Sequence, residues 1–253
     1  MDFELITVPC LADNYAFLLH KNGRTAVIDV PEASPIMKEL AARGWNADEI
    51  WITHHHNDHI DGVDELRSAH GSHVVGGSSD ANRLPSLNAS YGDGDSFSFA
   101  GSEVQVMDVS GHTIGHIALY VPDARAVFTA DSLMALGCGR LFEGTPEQMW
   151  ESLSKLAALP GDTTVCSGHE YTASNLAFAM TIEPQNPDLQ ERGMRIAVAR
   201  DRGKPTVPST LSEELATNPF LRAGLAEVKS GLNMSGEADS AVFAEIRKRK
   251  DSF

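Results

Sequence analysis

Thr53-His54-His55-His56-Asn57-Asp58-His59 places four good metal ligands, His54, His56, Asp58 and His59, within a six-residue stretch. Alternate residues of an extended chain face one side. His54 and His56 can therefore grip one ion, and Asp58 and His59, after a turn, can reach a second. Imidazole combined with carboxylate suits zinc, iron or manganese. A lone histidine pair is usually an exposed polar loop or a structural zinc site, but four ligands at this spacing point to catalysis. Three more candidates lie downstream: His112 in Gly111-His112-Thr113-Ile114-Gly115-His116, Asp131 after Val127–Ala130, and His169 in Gly168-His169-Glu170. Each follows an expected strand, and loops carried by a rigid scaffold are where catalytic groups concentrate. Seven ligands overfill one tetrahedral ion. Two ions sharing Asp131 accommodate them, and hydrolysis by a hydroxide held between two divalent ions is the chemistry such a pair performs.

Short apolar runs and amphipathic stretches must position these residues. Strands are expected at Leu5–Val8, Tyr15–Leu19, Thr25–Ile28 and Glu49–Thr53, the last running directly into the histidine motif. Hairpins are expected from Ser96–Phe99 with Glu103–Val109, and from Ile117–Val121 with Ala126–Thr129 about Pro122-Asp123. Helices are expected at Pro31–Arg43, stopped by Gly44, at Asp61–Ala69, and at Pro146–Ala158 with proline at its start. A last strand, Thr163–Cys166, precedes His169. This mixture fits sheets covered by helices. After Thr172 the composition turns helical: Ser174–Ile182, Leu189–Arg202, Ser212–Ala216 and Asp239–Lys250, punctuated by prolines. Two domains are expected: 1–171, carrying the ligands, and 172–253, a smaller helical addition.

Charge supports that division and narrows the function. Residues 1–171 hold 9 Lys and Arg against 24 Asp and Glu, whereas 172–253 hold 11 of each. All 10 histidines lie in the first part. An acidic surface cannot replace the counterions of a phosphate backbone, which excludes a nucleic-acid binder. No apolar run reaches the roughly 20 residues of a membrane span, and Met1–Cys10 lacks the basic and apolar regions of a secretory signal. Cys10, Cys138 and Cys166 are too few and odd in number for a disulfide framework, which fits a reducing cytoplasm. A cytoplasmic monomer is the expectation. Of the other histidines, His55 should point away from its neighbours, His116 should pack beside the site, and His20, His70 and His73 should lie at the surface. Asp29, ending a strand, should hydrogen-bond a ligand rather than bind metal itself.

The motifs THHHNDH, GHTIGH, Asp131 and GHE resemble those of the metallo-β-lactamase superfamily, which implies an αββα sandwich, here with a smaller C-terminal helical domain. The resemblance to one branch, glyoxalase II (hydroxyacylglutathione hydrolase), is closer. It runs through Pro9-Cys10-Leu11-Ala12-Asp13-Asn14-Tyr15, Gly137-Cys138-Gly139-Arg140-Leu141-Phe142-Glu143-Gly144, Gly168-His169-Glu170-Tyr171-Thr172, Asn218-Pro219-Phe220-Leu221-Arg222 and Arg247-Lys248-Arg249-Lys250-Asp251. It implies one ion on His54, His56 and His112, a second on Asp58, His59 and His169, and Asp131 bridging them. Zinc is expected, with iron or manganese as alternatives. The implied activity is hydrolysis of S-D-lactoylglutathione, a glutathione thioester, to D-lactate and glutathione in methylglyoxal detoxification. Asp58 would orient the attacking hydroxide, and Arg140, Tyr171, Arg247 and Lys250 would contact glutathione. Without the resemblance, the basic run at 247–250 reads as a solvated helix end complementing the helix dipole.

Two positions depart from the family. Phe142 stands where some members carry a tyrosine that contacts glutathione, and Asp61, ahead of Gly62, where glycine is common; Asp61 is expected to alter local geometry but not the ligands. The competing readings are a persulfide dioxygenase with one iron, a lactonase-like hydrolase, and a non-catalytic metal-binding module.

Overall fold

The computed structural model describes residues 2–253 and comprises two compact units. The first is Met1–Asp108 with Ile114–Ala130, and the second is Val109–Thr113 with Asp131–Phe253.

The first unit opens with β1 (Glu4–Cys10), β2 (Asn14–Lys21) and β3 (Arg24–Ile28), an antiparallel meander. Helix α1 (Ala33–Arg43) then crosses over, so β4 (Glu49–Trp51) joins β3 in parallel. Helices α2 (Asn57–Ile60) and α3 (Val63–His70) make the next crossover, and β5 (His73–Gly77) and β6 (Ala89–Tyr91) complete a six-stranded sheet in sequence order. The unit's second sheet is an antiparallel meander of β7 (Ser96–Phe99), β8 (Ser102–Asp108), β9 (Ile117–Val121) and β10 (Ala126–Ala130). Trp51 holds the two sheets together, meeting Phe97, Phe99 and Phe128 edge-on at 5.2–6.3 Å. The opposite face of the first sheet buries Leu18, Val27 and Ile50 under Ile36 and Leu40 of α1. β2 is therefore buried on both faces, which is why its sequence, NYAFLLHK, is nearly continuously apolar.

The second unit contains the short pair β11 (Leu133–Met134) and β12 (Gly137–Cys138), helix α4 (Pro146–Ala157) and strand β13 (Thr164–Ser167). Thr145 and Gln148 form a reciprocal cap on α4, with Pro146 in its first turn. Next come α5 (Thr172–Ile182), α6 (Pro187–Asp201), β14 (Ser209–Thr210), α7 (Leu211–Thr217), α8 (Ala226–Gly231) and α9 (Asp239–Asp251). β14 pairs antiparallel with β13, and Trp150 of α4 packs on Phe243 of α9 at 6.1 Å. Those contacts group 131–171 with the helices that follow. Phe178, Phe220 and Phe243 form the aromatic centre of the unit.

β5, β6, β14 and α8 are elements beyond those expected from periodicity. Gly76-Gly77, Ser209-Thr210 and the short run at 226–231 are too brief or too small-sided to carry a period. Asp61 is exposed and sits in ordinary right-handed helical geometry, so it bends nothing. Gly62 is required instead by close approach: a Cβ there would lie 2.6 Å from the Ala33 nitrogen and 2.8 Å from Val30 Cγ1. Among the described residues no helix is long and apolar enough to cross a membrane.

Candidate metal centre

After β4 the chain stays extended because its backbone is held from several strands. The Ile52 amide donates to the Val75 carbonyl, and the Ile117 amide donates to the Thr53 carbonyl. His54 therefore enters the interior fully buried. Asp29, just past β3, then orders the imidazoles. Its Oδ1 accepts from the Thr53 amide at 2.9 Å, and its Oδ2 accepts from the Thr53 hydroxyl at 2.8 Å and from His59 Nδ1 at 2.8 Å. A carboxylate only accepts, so His59 carries its proton on Nδ1 and its lone pair on Nε2. The Thr53 hydroxyl has donated to Asp29, so it accepts from His54 Nδ1 at 3.0 Å, which likewise places the His54 lone pair on Nε2. One buried carboxylate thus sets both tautomers.

The acceptor nitrogens converge. His54 Nε2 stands 3.1 Å from His56 Nδ1, and His59 Nε2 is 3.9 Å from Asp58 Oδ2. Asn14, buried at the start of β2, donates Nδ2 to both the carbonyl and Oδ2 of Asp58 at 3.0 Å. His116 stacks on His54 at 4.5 Å, with Nδ1 at 3.1 Å from the Ile117 carbonyl. His55 turns to Asp80 Oδ2, 3.0 Å away, with Arg83 Nη1 at 3.3 Å from its other nitrogen. His20 stacks on Trp45 at 4.0 Å, and His70 faces Asn46 at 2.9 Å.

In the second unit, Asp131 lies between two imidazoles. Its Oδ2 is 3.5 Å from His112 Nε2 and 3.3 Å from His169 Nε2. His112 Nδ1 is bound to the Arg140 carbonyl at 2.7 Å, and an amide oxygen can only accept, so the His112 lone pair faces the carboxylate. Tyr171 stacks flat on His169 at 4.6 Å, and Phe142 meets His112 at 5.2 Å. Phe142 is 62% exposed, so its phenyl ring covers the histidine with no hydroxyl to offer.

The proposed glutathione contacts have unequal environments. Arg247 is buried: Nε and Nη2 hold Asp251 at 3.1 and 2.8 Å, Nη1 donates to the Cys138 carbonyl at 3.0 Å, and the guanidinium lies 5.1 Å over Phe220. Arg140 is exposed, its Nε 3.7 Å from the same Asp251. Lys250 rests over Phe178 and Phe253 at 5.3 Å, with Nζ donating to the Ser174 carbonyl at 3.4 Å. Burial, and then the neighbouring Arg247, push its ammonium pKa down. Burial pushes Cys138 up to about 11 and Cys10 up to about 12, and raises Cys166 as well, so all three are protonated near neutrality. None is a nucleophile.

Asn14, Asn175, Glu214 and Asn218 shape these surroundings although the motif spacing gave them no role. The signal was slight: Asn175, for one, is one of several polar residues in Thr172–Ile182.

Residues 170–253 match the family model described as hydroxyacylglutathione hydrolase C-terminus, and residues 12–169 match that of the metallo-beta-lactamase superfamily. The chain is 63% identical over 255 residues to a hydroxyacylglutathione hydrolase of Roseobacter denitrificans, with 100% of each chain covered. The crystal structure of ETHE1 from Myxococcus xanthus aligns with a TM-score of 0.69 at 22% identity, covering 98% of this chain and 90% of that one. TTHA1623 in a di-iron-bound form aligns at 0.63 with 24% identity, covering 86% of this chain and 100% of that one. The shared fold is the metallo-β-lactamase αββα sandwich, here with a helical C-terminal part, and the chain belongs to the hydroxyacylglutathione hydrolase family.

Proposed function

We propose that the chain hydrolyses the thioester of S-2-hydroxyacylglutathiones such as S-D-lactoylglutathione, releasing glutathione and a 2-hydroxy acid, as a cytoplasmic monomer. The observation that carries this reading is 63% identity, over the full length, to a hydroxyacylglutathione hydrolase, in a chain that carries all seven candidate ligands. Functionally, 1–171 is the catalytic domain and 172–253 the substrate-binding domain, following the two family matches.

The donor chemistry fits two divalent ions. His54, His56 and His112 would hold one, Asp58, His59 and His169 the other, and Asp131 both. Zinc is the expected metal, with iron or manganese as alternatives; a relative of the same fold has been solved in a di-iron-bound form. When bound, such ions polarise the thioester carbonyl and lower the pKa of water toward neutrality. The protein's own groups do the rest. Asn14 fixes Asp58 so that its carboxylate can orient the attacking water. Tyr171, stacked on the His169 ring, would meet glutathione with Arg140 and Lys250, while Arg247, buried and held by Asp251 and the Cys138 carbonyl, would act on it from behind them. A thiolate leaving group with a pKa near 8.5 departs without a dedicated general acid. That agrees with a candidate site whose polar groups are nearly all ligands or their holders.

Purified protein is expected to hydrolyse S-D-lactoylglutathione and to contain two metal ions per chain. Metal analysis and thiol release should be measured on one sample, before and after chelation. Full activity with one ion, or in metal-free protein, would defeat the two-metal reading. Lys250→Ala should raise KM about tenfold with kcat little changed, since a charge-assisted contact remote from the reacting bond contributes roughly 1.5 kcal/mol to binding. Lys248→Ala, two positions before it and on the other side of the helix, should do much less. Equal, small effects at both positions would leave the basic run as a helix-end feature alone.

A further inference from the structure

We propose that the helical part of the chain is a clamp that positions the metal ligands Asp131 and His112, through Asn175, Glu214, Asn218 and Arg247. The proposal rests on the reading of Asp131 and His112 as ligands.

Residues 131–140 run from Asp131 to Arg140, and the stretch from Leu133 to Cys138 is buried. Its strands, β11 and β12, are two residues each, too short to satisfy a buried backbone by pairing. Buried amides and carbonyls require partners, and here five consecutive residues find them in side chains from beyond position 172. Asn218 Nδ2 donates to the carbonyls of Met134 at 3.1 Å and Gly137 at 3.0 Å. Asn175 Nδ2 donates to the Ala135 carbonyl at 3.0 Å. The Leu136 amide donates to Glu214 Oε2 at 2.8 Å. Arg247 Nη1 donates to the Cys138 carbonyl at 3.0 Å.

The clamping groups are themselves fixed. Glu214 and Asn218 are fully buried, and Glu214 is held by Arg192 and by Asn218 Nδ2 at 3.0 Å. Both ends of the held segment reach ligands. At one end Asp131 adjoins Ser132, whose carbonyl accepts the Gly139 amide at 3.1 Å. At the other, the Arg140 carbonyl accepts the His112 Nδ1 proton at 2.7 Å and so sets that ring's tautomer and direction. The held residues, 134–138, lie between Asp131 and the Arg140 carbonyl that holds His112, and partners that orient ligands typically change metal affinity by 10–100-fold when removed.

The test uses the full-length, metal-loaded protein. Asn218→Ala removes two carbonyl partners and Asn175→Ala removes one, the second offering a milder lesion if the first folds poorly. Leu40→Ala, a buried truncation on α1 in a core cluster of the first unit that includes none of residues 131–140, serves as a control that lowers stability. Metal release to a chromophoric chelator is read alongside the unfolding temperature of each metal-free protein. The expectation is about tenfold weaker metal retention in Asn218→Ala and a smaller loss in Asn175→Ala, with Leu40→Ala retaining metal at an equal or greater fall in unfolding temperature. Metal retention that simply tracks unfolding temperature across all three would overturn the proposal, as would wild-type retention in both asparagine variants. His112→Ala and Asp131→Asn are run in parallel. If they release metal while the asparagine variants hold it, only the clamp is lost; if they too hold it, the ligand reading falls and the clamp with it.

Discussion

Asp131→Asn is expected to abolish most turnover and to leave fewer than two metal ions per chain. The substitution preserves shape but replaces an anionic oxygen with a neutral amide. Asp131 Oδ2 sits 3.3 and 3.5 Å from the Nε2 atoms of His169 and His112, with both imidazoles facing it. In the proposed assignment it is the one ligand common to both ions, so its loss weakens both sites. Removing a group that merely orients a ligand commonly costs 10–100-fold in affinity or activity, and removing the shared ligand should cost at least the upper end, about 100-fold in kcat. Metal content and kcat should be measured on protein whose circular dichroism matches the parent. A variant with two ions and parental kcat would remove Asp131 from the centre.

Gly139→Ala is the second large effect, and it acts through space rather than charge. A Cβ at this position would lie 1.9 Å from the Asp131 carbonyl oxygen and 2.8 Å from His112 Nδ1. No side-chain rotation relieves a contact with a backbone oxygen. The chain must part where the Gly139 amide meets the Ser132 carbonyl, and Asp131 and Arg140 move with it. Overpacking of this kind costs about 1–3 kcal/mol of stability, and a shift near 1 Å at reacting groups can cost about 100-fold in rate. The expected result is a folded protein with lowered unfolding temperature, reduced metal content and kcat down roughly 100-fold. Parental metal content and kcat would show that the approach of Gly139 to Asp131 is not what sets the ligand.

The two substitutions separate kinds of information. Asp131 was recognisable from its type and its place after an apolar strand. The need for glycine at 139 was not, because it arises from residues 8 and 27 positions away in sequence that come together only on folding. The same contrast holds for the cations. Spacing alone put Arg247 and Lys250 on one helical face, but their environments differ for reasons outside that helix. Arg247 is drawn inward by Asp251, Phe220 and the Cys138 carbonyl, while Lys250 stays near the surface over Phe178 and Phe253.

What the sequence determined by itself was whatever repeats at short range. The histidine–aspartate spacing, the short apolar runs of β1 to β3, the hairpin of β9 and β10, and the proline start of α4 are local chemistry, readable because neighbouring residues share one backbone geometry. The candidate ligands and a sheet fold covered by helices were legible on those grounds, and the αββα class from motif resemblance. Tertiary structure alone decided how the ligands are held. Asp29 sets the tautomers of His54 and His59 through Thr53, 24 positions away, and directly at a separation of 30. Asn218 reaches Met134 across 84 positions. Such partners obey no period, because a buried carbonyl or imidazole accepts whichever polar group the packed chain brings within about 3 Å.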